Sequence, residues 1–296
     1  MGPLLKGAAM NTRYSDKNPL YIRVLGIIGK TVVLGAACVF TAFPFLWMIV
    51  SSLKTKADIL NTDVFFPPDP QWGNITSILF DSPIPKYIFN SAWVSLVIVA
   101  LQIVSGAMLA YALVFLKFRT NKILFAIVMA TYMLPVAATY IPSYIILANW
   151  GMLDSFRGLI ISSTVSIFGI FLLRQGFMQI PKGLVEAARM DGASHWRALW
   201  EIVCPMTKSS FITFGLMNFI GTYNNYMWPS LITKTSDYFL VSQGLRAFFV
   251  RDGAYGTEWA LVMAASAVVV IPLLVLFAFT QKWFINGIGG ETGMKG

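Results

Sequence analysis

Six apolar stretches, each long enough to cross a lipid bilayer, constrain the fold of this chain more than any other feature. A hydrocarbon core about 30 Å thick requires about 20 helical residues. The composition agrees, because 57% of the residues are hydrophobic and only 12% are charged, too few to cover a soluble globule. The sequence therefore predicts an all-α polytopic membrane protein with six transmembrane helices at Val24–Val50, Ala92–Phe115, Ile123–Leu147, Gly158–Met178, Phe211–Ile232 and Trp259–Phe279.

The distribution of basic residues predicts how these spans are oriented. With the N-terminus inside, fourteen Lys and Arg residues fall in cytoplasmic segments and seven in outer segments. Cytoplasmic loops carry the excess of basic residues in membrane proteins, so both termini are predicted to be cytoplasmic. The net charge of +9 is then a topology signal and does not indicate a nucleic-acid-binding face.

These boundaries predict one membrane domain between two short tails. Residues 1–23 form a cytoplasmic tail, residues 24–286 the six-helix domain and residues 287–296 a second cytoplasmic tail. Within the domain, 51–91 and 233–257 are predicted outer loops. The first apolar run is far longer than the core of a signal peptide, so we expect no cleavable leader. Cys38 in a span and Cys204 on the reducing side predict no disulfide.

Apart from Lys30, which lies near the inner end of the first span, the spans lack the ionisable groups that usually power a stand-alone transporter. All thirteen acidic residues lie in predicted loops or at helix ends, and the one histidine, His195, lies in a cytoplasmic segment. Ion-coupled transport is therefore disfavoured, although backbone carbonyls can bind sodium and keep it open. No GxxxxGK[ST] phosphate loop or HExxH metal motif occurs. Any energy for transport would have to come from a partner.

The cytoplasmic segment 180–205 is polar and is predicted to form two short helices. It reads IPKGLVEAARMDGASHWRALWEIVCP. Pro181 suits a first helical turn and Gly192 suits a helix exit, which predicts a helix from Lys182 to Asp191. Ser194 can cap a second helix that ends at Pro205. That helix has a predicted apolar face formed by Trp196, Leu199, Trp200 and Val203.

Two interpretations of this segment remain open from pattern alone. Two helices joined by a glycine turn can dock into a cleft of a soluble protein and pass rigid-body movement to the membrane helices. Alternatively, the segment is an amphipathic helix that lies on the inner leaflet and is anchored by its two tryptophans.

Several motifs together resemble one transporter family. Glu186-Ala187-Ala188, Gly192 and Pro205 resemble the EAA loop of binding-protein-dependent ABC importer permeases. Nearly the whole chain is similar to the MalG-type permease subunit of carbohydrate importers, through Phe43-Pro44, Ser51-Ser52-Leu53-Lys54, Met133-Leu134-Pro135, Ile141-Pro142 and the end from Gln281-Lys282-Trp283 to Gly296. Cys204 departs from the leucine that the family usually has at that place.

The resemblance implies a type I ABC importer (MetI-like) permease core in a bacterial or archaeal plasma membrane. It implies a heterodimer with a second permease, a partner ATPase dimer and an extracytoplasmic solute-binding protein. No cofactor is expected on this chain, since ATP and magnesium would bind the ATPase, and the tail 287–296 would enter the ATPase interface. Glu186 would contact the ATPase, with further contacts from Ala187, Ala188, Arg189, Asp191 and Gly192.

Two other segments are expected to meet the solute and its binding protein. The resemblance implies a loop after the fifth span that contacts the binding protein through Phe239, Leu240, Val241 and Ser242, although these residues could equally cap the outer face. Aromatic and amide side chains suit a sugar path, which we predict at Tyr223, Asn224, Asn225 and Trp228. An interfacial aromatic belt is the alternative. The family usually has tryptophan, asparagine and aspartate here, and Tyr223 and Asn225 replace the ends of that run.

The expected function is that of the permease subunit of an ATP-driven importer for a carbohydrate. The chain itself is not expected to be an enzyme. Alternatives are a glycerol-phosphate importer permease, a secondary carrier or channel that works alone, and a sensory or scaffolding membrane protein.

Overall fold

The computed structural model describes residues 20–61, 63–250 and 258–289, and every regular element in these ranges is helical. The predicted tail at 287–296 and the end of the predicted outer loop 233–257 lie partly outside the described residues. The helices are α1 (Leu20–Ser52), α2 (Lys56–Ile59), α3 (Gly73–Phe80), α4 (Ile84–Phe115), α5 (Asn121–Tyr132), α6 (Val136–Asn149), α7 (Phe156–Ile161), α8 (Ile167–Met178), α9 (Lys182–Met190), α10 (His195–Arg197), α11 (Cys204–Met206), α12 (Lys208–Tyr223), α13 (Met227–Ile232), α14 (Val241–Val250) and α15 (Trp259–Gly289).

Three of the six predicted spans are continuous helices of membrane-crossing length. Gly26–Ser52, Ile84–Phe115 and Trp259–Lys282 are each long and apolar enough to span a bilayer. This confirms the all-α polytopic class. Because α4 begins at Ile84 and not at the predicted Ala92, the predicted outer segment 51–91 is shorter than expected, and it contains α2 and α3.

The other three predicted spans are interrupted, which the apolar pattern did not predict. The axes of α5 and α6 differ by 98° across a three-residue break, and α7 and α8 are separated by residues 162–166. Residues 224–226 separate α12 from α13. Pro135 at the first break has no N–H and disfavours helix in the residue before it. At the second break, Ser166 caps α8 by accepting a hydrogen bond from Gly169 N at 3.1 Å.

The chain divides into two units, one holding α1 up to Trp47 and the other beginning at Met48. Within the second unit, α8 packs against α4 and α12 through small residues. A Cβ built on Gly169 would lie 2.2 Å from the Phe214 ring, and one on Gly106 would lie 3.5 Å from Leu173. Such small residues allow membrane helices to approach closely when lipid gives them no hydrophobic reason to associate.

Candidate functional site

The first helix of the segment 180–205 forms as the sequence predicted. Helix α9 follows Pro181 and ends at Met190, with Asp191 as its C-cap. Gly192 has φ +89°, and no atom lies within 4 Å of a Cβ built on it. The backbone conformation, and not crowding, therefore requires glycine at this turn.

The second helix also begins as predicted but is irregular and presents a different face. Ser194 Oγ accepts a hydrogen bond from Arg197 N at 3.1 Å, which confirms the predicted cap. After α10 the helix widens into a π-helical turn over Ala198–Val203 and ends at Met206, one residue beyond Pro205. The predicted apolar face is wrong at Trp196, which is 59% exposed and packs edge to face on Trp200 at its surface.

Buried contacts attach both short helices to the ends of α4 and α8. Val185 of α9 and Leu199 of the second helix are almost fully buried in one cluster with Phe177 of α8. The hydroxyl of Tyr111, near the C-terminal end of α4, lies 3.1 Å from His195 Nδ1. The apolar side of the segment therefore faces protein, so the segment is not a detached amphipathic helix.

The opposite side of α9 and its turn is exposed and carries most of the predicted coupling residues. Glu186, Ala187, Arg189, Asp191 and Gly192 are exposed, and Ala188 is half-buried. Three large apolar side chains share the exposed surface of the segment: Leu184, Met190 and Trp196. We call this set of nine residues the α9 surface. Arg189, Met190 and Trp196 are of residue types enriched where proteins bind one another, so this surface suits contact with a protein partner.

A groove of about 520 Å³ separates the α9 surface from the end of α4. Lys117, Lys182 and Arg189 bring positive charge to its walls, and Glu186 and His195 also line it. Lys117 Nζ donates to Glu186 Oε1 at 3.2 Å. The Arg189 guanidinium donates to the carbonyl of Ala193 and so helps to hold the turn after α9.

A second cavity, of about 490 Å³, lies where the three interrupted spans meet. The elbow between α5 and α6, the break between α7 and α8, and the end of α12 all contribute to its walls. Gln102 contributes from α4. We call this space the central cavity.

The structure brings two of the four predicted solute-path residues to the central cavity. Asn225 and Trp228 line it. The Trp228 indole donates to Ser162 Oγ at 2.8 Å and stacks on Tyr140 with 5.5 Å between ring centroids. Tyr223 is fully buried and donates to the carbonyl of Val269 at 3.1 Å, so it fills the core in this conformation. Asn224 donates to the carbonyl of Ile220 and is likewise not among the cavity residues.

The residues predicted to meet a binding protein are held against the start of α4. Leu240 and Val241 are buried, and Val241 N donates to Ser91 Oγ at 2.7 Å. Asn90 donates to the carbonyl of Phe239, which is half-buried. Ser242 Oγ donates to the carbonyl of Asn224. Leu240 and Val241 are therefore occupied within the chain in this conformation, and the exposed residues between α13 and α14 are 234–237.

Comparison with known proteins identifies the family. Residues 102–289 match the family described as "Binding-protein-dependent transport system inner membrane component". The chain belongs to this family. In ABC importers of this kind the permease is a membrane transport component and a separate subunit hydrolyses ATP, so this permease is a multi-pass membrane protein and not an enzyme.

Named relatives of this permease cover nearly its full length. It is 32% identical over 276 residues to the sn-glycerol-3-phosphate transport system permease protein UgpE of Yersinia enterocolitica, covering 91% of this chain and 95% of the relative. UgpE of Brucella abortus is 29% identical over 273 residues, covering 90% and 96%. A chain in the crystal structure of a bacterial ABC transporter involved in alginate import superposes with a TM-score of 0.80 at 23% identity, covering 90% of this permease and 99% of that chain. That structure establishes the shared fold.

The structure also reveals a polar contact that no sequence motif of the permease indicated. Asp154 has φ +51° and accepts hydrogen bonds from the N–H groups of Lys234 at 2.8 Å and Thr235 at 2.9 Å. It also accepts from the Thr235 hydroxyl. The Thr235 hydroxyl, followed by these two backbone N–H groups, lowers the pKa of the Asp154 carboxyl. Asp154 thus ties the loop before α7 to the segment after α13.

Proposed function

We propose that this permease forms half of the membrane channel of an ATP-driven carbohydrate importer and that a partner ATPase drives it through the α9 surface. The observation that carries the proposal is the two-sided construction of α9. Its apolar side is buried against α4 and α8, while Glu186, Arg189 and Asp191 remain exposed. A protein partner could bind this surface through its charged groups and its exposed apolar side chains, and the glycine turn would allow the partner to approach the backbone closely.

Buried contacts connect α9 and the second helix to α8 and α4, so a movement of α9 can be transmitted to these membrane helices. A displacement of α9 would move Val185 against Phe177 and so carry α8 with it. It would also move the second helix, whose His195 contacts Tyr111 of α4. Helices α4 and α8 both contribute residues to the central cavity, Gln102 from the first and Phe168 from the second. Rigid-body movement below would therefore change the shape of the cavity above.

The remaining components follow the family pattern. A second, homologous permease would complete the channel, and two ATPase subunits would bind ATP and magnesium. A solute-binding protein would deliver the solute on the side opposite α9. The excess of basic residues in the α9 side segments supports a cytoplasmic location for α9 and for both termini. We propose that the tail 287–296 reaches the ATPase interface.

The carbohydrate assignment rests on the resemblance to MalG-type permeases and on the fold shared with an alginate importer. Glycerol phosphate is the second candidate, because the relatives at 29–32% identity carry that substrate in their names. Both solutes are polyhydroxylated, and they differ in charge.

A charge reversal at Glu186 and a backbone change at Gly192 test whether the α9 surface couples the permease to the ATPase. In membrane vesicles with the complete transporter, Glu186→Lys and Gly192→Pro should lower ATP-driven uptake at least tenfold and reduce the amount of ATPase that co-purifies. Asp81→Lys is the matched control, since Asp81 is exposed near the opposite end of α4. Wild-type uptake and unchanged co-purification in both α9 variants would refute the proposal. Solute flux through liposomes that contain this chain alone, without ATP, would instead support a stand-alone carrier.

A further inference from the structure

Arg174 lies in α8 and packs on α5. We infer that Arg174 is a positioning residue for transport, which through its contact with Phe125 makes α5 follow the movement of α8. This inference rests on the proposed function and deepens it, because it identifies side chains that extend the movement from α8 to another wall of the central cavity.

The Arg174 guanidinium lies over the ring of Phe125, with 3.9 Å between its central carbon and the ring centroid. The ring face attracts a cation at this distance, and the attraction is stronger where water is excluded. The Nε of Arg174 is buried and has no hydrogen-bond partner among the described residues, and no described carboxylate forms an ion pair with the guanidinium. Within the described part of the chain, the Phe125 ring is therefore the group that holds this cation in place.

Helix α5 is held in the described fold mainly by α8. None of its residues is buried, and α8 is the described helix against which it packs most extensively. The Asn121 amide in its first turn donates to the carbonyl of Leu113 at 2.7 Å, which fixes the start of α5 to the end of α4. Phe125 lies about one turn further along α5. Asn121 therefore fixes one end of α5, and the Arg174 contact fixes its side against α8.

The position of Arg174 in α8 places it close to the contact with α9. It precedes Phe177 by three residues, and Phe177 shares a buried cluster with Val185 of α9. Residues three apart on a helix are neighbours on its surface. A displacement of α9 that moves Phe177 would therefore move Arg174 with it.

The far end of α5 forms part of the wall of the central cavity. Thr131 and Tyr132 line the cavity from α5, and Tyr140 lines it from α6, beyond the elbow. The segment 125–131 contains no proline or glycine, so it has no kink site and transmits a displacement as a rigid rod. A movement of α8 at Arg174 would therefore reach the elbow side of the cavity, which α4 and α8 do not form.

Substitutions on both sides of the contact separate this role from simple anchoring. An arginine that only anchors α8 at the membrane surface needs its positive charge and not the ring. Phe125→Leu keeps most of the apolar volume and removes the ring face, and Arg174→Gln removes the cation, so we expect both to weaken the link between α5 and α8. Phe125→Tyr keeps the ring and should behave as wild type. Arg119→Gln is the matched control, since Arg119 is exposed in the loop before α5.

The assay measures how far α5 and α8 move when ATP binds the complete transporter with its binding protein in proteoliposomes. Nitroxide labels are attached to cysteines that replace Ile127 of α5 or Met178 of α8, each paired with a label in place of Phe80 as a common reference. All three positions are more than half exposed. The native Cys38 and Cys204 are changed to serine. Double electron–electron resonance gives the change in each distance on addition of ATP and vanadate.

The comparison between the two distances decides the role of Arg174. In wild type we expect both distances to change. In Phe125→Leu and in Arg174→Gln the change at α8 should persist while the change at α5 falls by at least half, and the double variant should lose no more than either single variant. A wild-type change at α5 in either single variant overturns the inference. So does an equal loss at α5 and α8, or an α8 that does not move in the wild-type transporter.

Two controls separate this inference from the proposed function. The amount of co-purified ATPase should stay at the wild-type level in Phe125→Leu and Arg174→Gln, because the α9 surface is intact. Loss of the ATPase from both variants would assign their effect to docking and overturn the inference. Glu186→Lys should instead lose ATPase association and both distance changes. If Glu186→Lys retains them, the coupling proposal fails, while the comparison of α5 with α8 in Arg174→Gln still decides the role of Arg174.

Discussion

The ammonium group of Lys117 lies 3.2 Å from the carboxylate of Glu186 and links the end of α4 to the α9 surface. The two side chains are 87% and 58% exposed. Ion pairs with this exposure contribute about 0–1 kcal/mol, because water screens them and long side chains lose entropy in pairing. Glu186 is therefore held only weakly and is available to exchange Lys117 for a group on a docking partner.

The weakness of this pair predicts that Lys117→Ala leaves folding nearly unchanged. We expect the free energy of unfolding to change by less than about 0.5 kcal/mol. Chemical denaturation of the purified permease in detergent measures this. A matched Lys182→Ala variant, which removes a neighbouring positive charge from the groove, controls for the general loss of charge. A loss above about 2 kcal/mol in Lys117→Ala alone would mean that the pair is structural.

The contact between Tyr111 and His195 predicts a coupled effect in a double-mutant cycle. Tyr111→Phe removes one hydroxyl and keeps the ring, and we expect it to destabilise the permease by about 0.5–1.5 kcal/mol. In a His195→Phe background the same change should have little effect, because the partner is already absent. Thermal unfolding of the two single variants and the double variant measures the coupling. Additive losses would show that the hydroxyl and His195 do not interact, and Tyr144→Phe serves as the control.

The close approach of α8 and α12 predicts a steric effect at Gly169. A Cβ there would lie 2.2 Å from the Phe214 ring, so Gly169→Ala forces the ring or a helix to move. Overpacking of this kind costs about 1–3 kcal/mol. Phe214→Leu in the same chain should restore part of the loss by making room. Melting temperatures of the two single variants and the double variant test this, and a Gly169→Ala permease as stable as wild type would contradict the packing described here.

The sequence predicted this fold well where a helix ends with recognisable chemistry. Pro181 and Gly192 located α9, and Ser194 located the start of α10, because their backbone preferences and side-chain acceptor are local properties. The interruptions at residues 162–166 and 224–226 were not predicted, although these segments read SSTVS and NNY, because a packed membrane helix can also carry Ser, Thr and Asn without a break. Their positions depend on tertiary partners, such as the hydrogen bond from Trp228 to Ser162.

The candidate sites were predicted unevenly for the same reason. The residues that the family resemblance assigns to ATPase contact lie together on α9 and its turn, and all of them except Ala188 are exposed. Gln102 was not predicted as a cavity residue, because its position at the cavity depends on a hydrogen bond to Ser163, which lies 61 residues away in the sequence. From the sequence, Tyr223 has the aromatic ring expected of a residue that stacks on a sugar. Only the structure shows that it is buried and that its hydroxyl donates to the carbonyl of Val269.

The hydrogen bonds of Asp154 predict a pH-dependent contribution to stability. Its pKa is lowered in the folded protein, so the contribution is present above the ordinary carboxyl pKa of about 4 and is lost as pH falls through the lowered value. Asp154→Asn keeps the side-chain shape, tolerates positive φ and removes the charge. We expect it to melt below wild type at pH 7 and by a smaller margin at pH 3, which lies below the ordinary carboxyl pKa. An equal difference at both pH values would show that the charge of Asp154 is not responsible.

Photocrosslinking from the α9 surface tests the central claim most directly. Met190 is 83% exposed on α9, and Phe80, 80% exposed at the end of α3, is the matched control. Each is replaced by cysteine carrying a benzophenone, in a chain with Cys38 and Cys204 changed to serine, and membranes with the full transporter are irradiated. We predict an ATPase adduct from position 190, changed in yield by ATP, and none from position 80. No ATPase adduct from position 190, or equal adducts from both positions, would contradict the account.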